Sequence, residues 1–359
     1  MARRRAAEEP TVPCYATTIP GLETVAADEI TTDLGGDVKR TAAGLVVFRP
    51  PAVDRSLLGL RTTEDVFLLA WGTDKLTYRA KDLDQITRWT AREPDWPRLL
   101  RLHHATRPKP KHKPTYRLVT QMFGEHGYRR VDALKALARG LAGKFPASWR
   151  PADEDADVEV WLTIKGATAV CGLRLSDKTM RHRTYKQEHV PASLRPVVAA
   201  AMIRLAECQP EHILLDPTCG AGTILAERLA LDRRATVLGG DLDHAALRAA
   251  VANLRRLGEP ILARWDARQL PLADRSVHRI VANPPFGKQL GDPATLGSFY
   301  ANLLAEADRV LKPGGRAVLL ASEAKPLSDA ARARGWRKTK QLRLRILGQL
   351  AFLSVWAKA

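Results

Sequence analysis

Asn283-Pro284-Pro285-Phe286-Gly287 follows Asp216-Pro217-Thr218-Cys219-Gly220-Ala221-Gly222-Thr223 by some 60 residues. An amino group on a flat heterocycle is a poor nucleophile, because its lone pair is delocalised into the ring. Acceptors for its hydrogens, here Asn283 Oδ1 and the Pro284 carbonyl, localise that pair, and the prolines fix the backbone so that the acceptors converge. Phe286 offers a face on which a base can stack. Upstream, Gly220 and Gly222 let the backbone approach a ligand closely, and the free N–H groups of a following helix suit a carboxylate. The pair therefore suggests methyl transfer from S-adenosylmethionine to a ring amine. No strong general base is required, since a sulfonium is a good methyl donor and the proton can leave late. Taken alone, the glycine turn also suits a structural turn or a dinucleotide site, and the proline loop suits an ordinary turn after a strand. A triphosphate P-loop is disfavoured, because the spelling G-x-x-x-x-G-K-[ST] is missing.

Two further acids lie at matching places. Asp241 ends an apolar run and can accept both ribose hydroxyls of an adenosine; the alternative is a helix cap, for which Asp243 is better placed. Asp266 ends the next run and can accept an adenine amino group, or simply face solvent. With Asp216, Gly220 and Gly222 of the turn, with their neighbours Thr218, Thr223, Leu242 and Ala267, and with Asn283, these are the candidate cofactor contacts.

The elements that must position them read as an α/β pattern. Strands are expected at His212–Leu215, Ala235–Gly240, Pro260–Arg264, Ser276–Ala282 and Arg316–Ala321. Helices are expected over Thr223–Leu231, from Asp243 through Leu257, over Leu296–Leu311 and up to Arg334. Such alternation predicts a parallel sheet, with ligands beyond the carboxyl ends of its strands. Trp336–Leu347 and Gln349–Trp356, turning at Gly348, predict an antiparallel hairpin at one edge. The N-terminal half reads as mixed α+β. Helical spacing covers Gly21–Leu34, Arg55–Leu60, Leu83–Ala91 and Val131–Phe145. Strand patterns cover Gly44–Phe48, Val66–Trp71, Thr115–Thr120, Val158–Ile164 and Ala167–Arg174. Arg181–Arg195 reads as a linker, and no internal repeat is evident.

With 359 residues the chain has room for two or three domains, and its net charge of +18 points to a polyanionic partner, most simply nucleic acid. An arginine-rich proteome is the plainer explanation. The excess is spread along the chain: 32 basic against 24 acidic residues in 1–190, and 25 against 15 in 191–359. Cys14, Cys171, Cys208 and Cys219 form no CxxC pair, which argues against a zinc site or a disulfide framework. No apolar run is long enough to span a bilayer, and the first residues do not read as a signal peptide, so a cytoplasmic protein with reduced thiols is expected.

Arg98, Arg101, Arg107, Lys109, Lys111, Lys113 and Arg117 lie in a window without an acid between Asp95 and Glu125. Aromatic rings are interleaved, and the window suits phosphate contacts. Arg332, Arg334, Arg337, Lys338, Lys340, Arg343 and Arg345 form a second window, with no acid after Asp329. It suits phosphate equally well, or serves as a solvated edge strand that resists aggregation. His103-His104 is a weak metal pair, and no metal is expected. Trp89, Trp96 and Trp149 read as core or interface.

Three stretches resemble the THUMP-domain RNA guanine-N2 methyltransferases: Asp216–Glu227, Asn283–Gly287 and Arg183–Met202. The likeness is specific over 181–323 and lies mainly in layout over 10–180. It implies a ferredoxin-like domain over 10–70, a THUMP RNA-binding domain over 71–178 that grips the tRNA acceptor end, a linker over 179–195, and a class I Rossmann-like methyltransferase domain over 196–359. That last domain would hold a seven-stranded, mostly parallel sheet with an antiparallel terminal hairpin. By resemblance, Pro191 and Ser193 in the stretch Pro191–Pro196 close over the methionine part of the cofactor, and Asn283, Pro284 and Phe286 form the catalytic loop. An Asn-type loop resembles the enzymes that make N2-methylguanosine at position 6 of tRNA, whereas Asp-Pro-Pro-Tyr goes with position 10. Phe286 departs from the family's frequent Tyr, which keeps the stacking face and loses the hydroxyl. The Asn form also occurs in a ribosomal-RNA guanine-N2 relative, and similar loops occur in adenine-N6 and glutamine methyltransferases. A silent RNA-binding protein on the same shell is the reading from another class. The implied partner is tRNA, bound by a monomer.

Overall fold

A computed structural model of the chain describes residues 11–107, 110–191, 193–285, 293–346 and 348–358. The chain divides into two compact units. One comprises Met1–Thr17, Ala27–Leu60 and Asp65–Asp177; the other comprises Thr18–Ala26, Arg61–Glu64 and Lys178–Ala359.

The first unit is built on one eight-stranded sheet. Its strands are β1 (Cys14–Thr17), β2 (Asp37–Ala42), β3 (Leu45–Arg49), β4 (Asp65–Thr73), β5 (Thr115–Phe123), β6 (Arg150–Pro151), β7 (Val158–Lys165) and β8 (Thr168–Arg174), in the order β2-β3-β1-β4-β8-β7-β5-β6. In β7, Val158, Val160, Leu162 and Ile164 are all buried while the residues between them are not, the period of two that marks a half-covered strand. Helices α1 (Glu23–Leu34), α2 (Asp82–Arg92), α3 (Trp96–Thr106) and α4 (Arg130–Leu141) alternate with the strands, and a short 3₁₀ turn covers Arg55–Gly59. The sequence pattern missed β1 and β2: β1 has only four residues, and Asp37–Ala42 is almost wholly polar and exposed. It also missed α3, whose buried Trp96, Leu99, Leu100 and His103 hide among the cations of the first basic window.

After the five-residue α5 (Lys178–His182) and the linker, the second unit forms a seven-stranded sheet. Its strands are β9 (Leu214–Asp216), β10 (Val237–Asp241), β11 (Ile261–Arg264), β12 (Val277–Ala282), β13 (Leu311–Ala321), β14 (Arg337–Ile346) and β15 (Gln349–Ala357), in the order β11-β10-β9-β12-β13-β15-β14. The first five run parallel, and β15 is antiparallel to both β13 and β14. Successive strand residues enter different cores. Leu214, Val318 and Leu320 pack with α6 (Pro196–Ala206), α7 (Thr223–Leu231) and α8 (His244–Leu254); Leu215, Ala317 and Leu319 pack with α9 (Pro293–Val310) and α10 (Ala324–Arg332). Helix α6 went unread because Val197 to Ile203 are buried all round it, leaving no polar face to reveal a helical period.

Two local departures have physical causes. The helix expected over Leu296–Leu311 ends at Val310, and Lys312-Pro313-Gly314-Gly315, directly beyond it, already lies within β13. Leu311 already pairs with Val277, and the register then jumps so that Arg316 faces Arg279. Gly314, at φ +70, lets the intervening residues bulge out. Residues 18–26 also join the second unit's core: Ile19, Leu22 and Val25 cluster with Leu342, Leu344 and Ile346. Gly21, at φ +102, approaches β14 so closely that a Cβ would sit 2.0 Å from the Arg343 carbonyl oxygen, so only glycine fits.

Candidate active site

The order of the second sheet reverses between β9 and β12, where a crevice opens beyond the carboxyl ends of the strands. A cleft of about 400 Å³ lies there. Of the predicted residues, Pro191, Ser193, Asp216, Thr218, Gly220, Thr223, Asp241, Leu242, Asp266, Ala267, Asn283 and Pro284 line it together. Gly222 does not line it. At φ +75 it turns the chain into α7, against Leu254, which a Cβ would approach to 2.9 Å. Phe286 and Lys109 lie outside the described residues.

The glycine turn is held from several sides. Cys219 N–H donates to the Gly240 carbonyl at 2.9 Å, and Gly222 N–H donates back to Cys219 O at 2.8 Å. Gly220 sits at φ +52 with nothing within 4 Å of a Cβ placed there, so its surroundings are open to a ligand. Its N–H donates to Asp241 Oδ2 at 2.9 Å, while Asp241 Oδ1 accepts from Asp243 N–H at 3.0 Å. One lone pair on each oxygen remains for a hydroxyl. Asp243, not Asp241, caps α8, accepting from Ala245 N–H at 2.9 Å. We expect Asp241→Ala to weaken cofactor binding at least about tenfold, through the loss of charge-assisted hydrogen bonds. Titration calorimetry measures this, and unchanged affinity would remove Asp241 from the ribose site.

Asp216 is buried, with one hydrogen bond, from Thr218 N–H at 3.2 Å. Burial, with the charge of Asp241 adding to it, pushes its carboxyl from the ordinary 3.8 up to about 8. The folded protein therefore holds a proton that the unfolded chain releases. The stability contributed is fully present below about pH 4 and is lost as pH rises through about 8. Melting of the cofactor-free protein should accordingly fall across that window, and Asp216→Asn should flatten the fall. Parallel pH profiles for the two proteins would contradict this.

Asp266 is differently committed. Its Oδ1 accepts from Arg268 N–H at 2.8 Å and Nε–H at 3.0 Å, and its Oδ2 from Arg268 Nε–H at 3.1 Å and Nη2–H at 2.7 Å. Those contacts hold the carboxyl below its usual range and occupy the lone pairs expected for an adenine amino group. Arg268 thus enters the cleft wall, as do Trp265 and Phe299. Trp265 donates from Nε1 to the Pro217 carbonyl at 3.0 Å and packs on Gly240, where a Cβ would lie 2.2 Å from the ring. None of these three carried a sequence signal; each is recruited by packing.

Asn283 follows β12. Its Oδ1 is buried and has no partner among the described residues, and the same holds for Thr218 Oγ1 and Ser193 Oγ. A buried polar atom left unpaired costs about 1–3 kcal/mol. Three of them on one cleft fit a ligand that is itself rich in polar groups, as S-adenosylmethionine beside a nucleobase would be.

The segment that brings Val190, Pro191, Ser193 and Leu194 to the cleft is tied down at buried polar groups. Glu227 on α7 accepts from Arg61 Nε at 2.7 Å, Arg183 Nε at 3.2 Å and Tyr185 Oη at 2.6 Å. Asn253 on α8 accepts from Gln187 N–H and Glu188 N–H and donates to the carbonyls of Glu188 and Ala221. It thereby joins the linker to the glycine turn. Lys186 Nζ donates to Leu194 O at 2.6 Å. Glu227 lies within a motif singled out above, but its partners could not be read from spacing.

The first basic window is not one free stripe. Arg107 donates to Ser176 O and to Asp177 Oδ2, both at 3.2 Å, and Arg117 lies 3.9 Å from Glu159. Arg101, Lys111 and Lys113 are exposed, while Arg98 on α3 is half-buried. His103 is buried in α3, which pushes its pKa down to about 3, as for a neutral core residue. Trp96 is core, and Trp89 and Trp149 are half-buried against other rings. Among the described residues no group of His, Cys, Asp or Glu could hold a metal ion, and no helix is long and apolar enough to cross a membrane.

A parallel sheet of this order, with a glycine turn after its first strand and acids after the next, defines a Rossmann-like methyltransferase domain. Residues 183–351 match the family described as RMKL-like, methyltransferase domain. The tRNA (guanine(6)-N2)-methyltransferase of Thermus thermophilus is 31% identical over 319 residues, covering 85% of this chain and 88% of that protein. The bovine tRNA (guanine(6)-N(2))-methyltransferase THUMP3 is 34% identical over 251 residues. That match takes in 65% of this chain but only 49% of the bovine protein, so the chain spans about half the length of that relative. The crystal structure of TrmN from Thermus thermophilus superposes with a TM-score of 0.80 at 27% identity, over 97% of this chain and all of that one. The chain belongs to the family of THUMP-domain, S-adenosylmethionine-dependent tRNA guanine-N2-methyltransferases.

Proposed function

We propose that the protein methylates the exocyclic N2 of guanosine 6 in the acceptor stem of tRNA. The observation that carries this reading is the buried Asn283 Oδ1, without a partner among the described residues, on the wall of the cleft that also holds Asp216, Gly220 and Asp241. S-adenosylmethionine supplies an electrophilic methyl group and leaves as a neutral thioether. Asp241 would accept from the ribose, and the free N–H groups opening α7 would suit the carboxylate. Asn283 Oδ1 and the Pro284 carbonyl accept from the guanine N2 hydrogens and turn its lone pair outward. Pro284 and Pro285 keep those acceptors in place before the base arrives. No side chain need take the proton, which passes to water once the nitrogen is methylated. A guanine inside an A-form stem cannot present N2 to this cleft, so the base must be extruded.

The N-terminal half supports a substrate-gripping role. The order β2-β3-β1-β4 is consistent with the ferredoxin-like domain proposed over 10–70, although β4 runs past that boundary to Thr73; β5 to β8 with α2, α3 and α4 would form the THUMP domain proposed over 71–178, joined through 179–195 to the catalytic domain over 196–359. The protein acts as a cytoplasmic monomer. Labelled S-adenosylmethionine with unmodified tRNA, followed by nucleoside analysis, tests the reading. N2-methylguanosine, lost when guanosine 6 is replaced by adenosine, is the expected product. A protein that binds the cofactor but leaves tRNA unlabelled would overturn it.

A further inference from the structure

In the second basic window Arg334 donates to the Ala301 carbonyl and Lys338 lies over the Trp356 ring, but four of its cations on one strand have no partner among the described residues. Arg337, Lys340, Arg343 and Arg345 are exposed on β14, and none has an ion-pair or side-chain hydrogen-bond partner among the described residues. Burying or pairing a cation removes it from use, whereas an unpaired exposed cation keeps its full attraction for phosphate. β14 is the edge strand of the catalytic sheet. Leu344 faces inward to the core, so Arg343 and Arg345 share the opposite face. The backbone beneath them is buttressed, because Gly21 packs against the Arg343 carbonyl.

The register places these arginines relative to the cleft. Arg343 pairs with Phe352, which pairs with Ala321 at the carboxyl end of β13. They therefore lie at the end of the sheet where Asn283 emerges. Three strand spacings separate β14 from β12, roughly 14 Å. The strand itself extends the basic row by roughly 27 Å from Arg337 to Arg345.

We propose that β14 is a docking surface for the RNA backbone, on which Arg343 and Arg345 hold phosphates flanking the extruded base. The proposal rests on the reading of the site as an RNA methyltransferase. The commitment to RNA follows from charge: the window has no acid after Asp329, so an anionic partner with regularly spaced charge matches it.

The test is filter binding of unmodified tRNA across a range of salt, with the double variant Arg343→Glu, Arg345→Glu. The Kd should rise at least about tenfold at 0.1 M salt, and the log–log salt slope should shrink by about two, one for each phosphate that is no longer neutralised. Cofactor affinity and the melting temperature should stay as in wild type. Arg343→Gln with Arg345→Gln, which removes charge without reversing it, should give the same slope change and guards against an unfolded edge strand. Unchanged Kd and slope in folded variants would overturn the proposal. So would a wild-type dimer that both variants dissociate without losing tRNA affinity, because the surface would then join copies of this chain. If wild type itself neither bound nor methylated tRNA, the reading of the site would fail, and this surface with it.

Discussion

Asn283→Ala should lower kcat roughly a hundred- to thousandfold, the usual cost of removing one preorganised hydrogen-bonding group from a reacting centre. In the proposed reaction Asn283 Oδ1 is one of two acceptors that localise the amine's lone pair, and its benefit would appear only as the nitrogen becomes cationic. KM for RNA and cofactor affinity should therefore change little. The stability effect should have the opposite sign. In the cofactor-free protein Oδ1 is buried without a partner among the described residues, so truncation removes an unsatisfied group and should leave the melting temperature unchanged or slightly raised. Single-turnover kinetics and thermal melting of one variant measure both. Full turnover would sink the catalytic assignment; a large loss of stability would show that the side chain has a structural partner.

Glu227→Ala should be the most destabilising single substitution near the site, by about 3–5 kcal/mol, because it strands buried partners. The Glu227 side chain is fully buried, and its partners Arg61 and Arg183 are only 22% and 9% exposed. Alanine would leave two guanidinium groups facing each other in a space with little water, and Tyr185 Oη would lose its acceptor at 2.6 Å. The same hub fixes Arg183 and Tyr185 ahead of Pro191 and Ser193, so cofactor affinity should fall as well. Glu227→Gln, which keeps an acceptor for Tyr185 without the charge, should fall between the two proteins. Denaturant unfolding and cofactor titration check this. A Glu227→Ala protein as stable as wild type would mean that these contacts do not hold the segment.

The lining of the cleft was legible because it is written in short stretches of backbone. Asp216 through Thr223 specify a strand, a turn with two left-handed glycines and a helix start, and Asn283-Pro284-Pro285 specifies a rigid exit from a strand. Each is recognisable from its own residues, although distant groups such as Asp241 then hold the glycine turn in place. The alternation of strands and helices, and the absence of a helix between the last two strands, likewise foretold the parallel sheet with its antiparallel edge. The less legible parts were those without a period. Helix α6 is apolar on nearly every side, β2 is mostly polar and exposed, and α3 lies within a run of charge.

The sequence by itself determined the class of fold, the glycine turn at the head of the cleft and the proline-braced asparagine on its wall. Each follows from conformational limits and hydrogen-bonding capacity that a few adjacent residues carry within themselves. Only the tertiary structure decided which charges remain available. Arg107 is spent on Asp177, Asp266 on Arg268, and Glu227 on Arg61, 166 positions away. Arg343 and Arg345, which look the same in the sequence, have no such partner among the described residues. Composition counts charges, but whether a charge is neutralised depends on what the fold brings within about 4 Å of it, and that distance is set by packing across the whole chain.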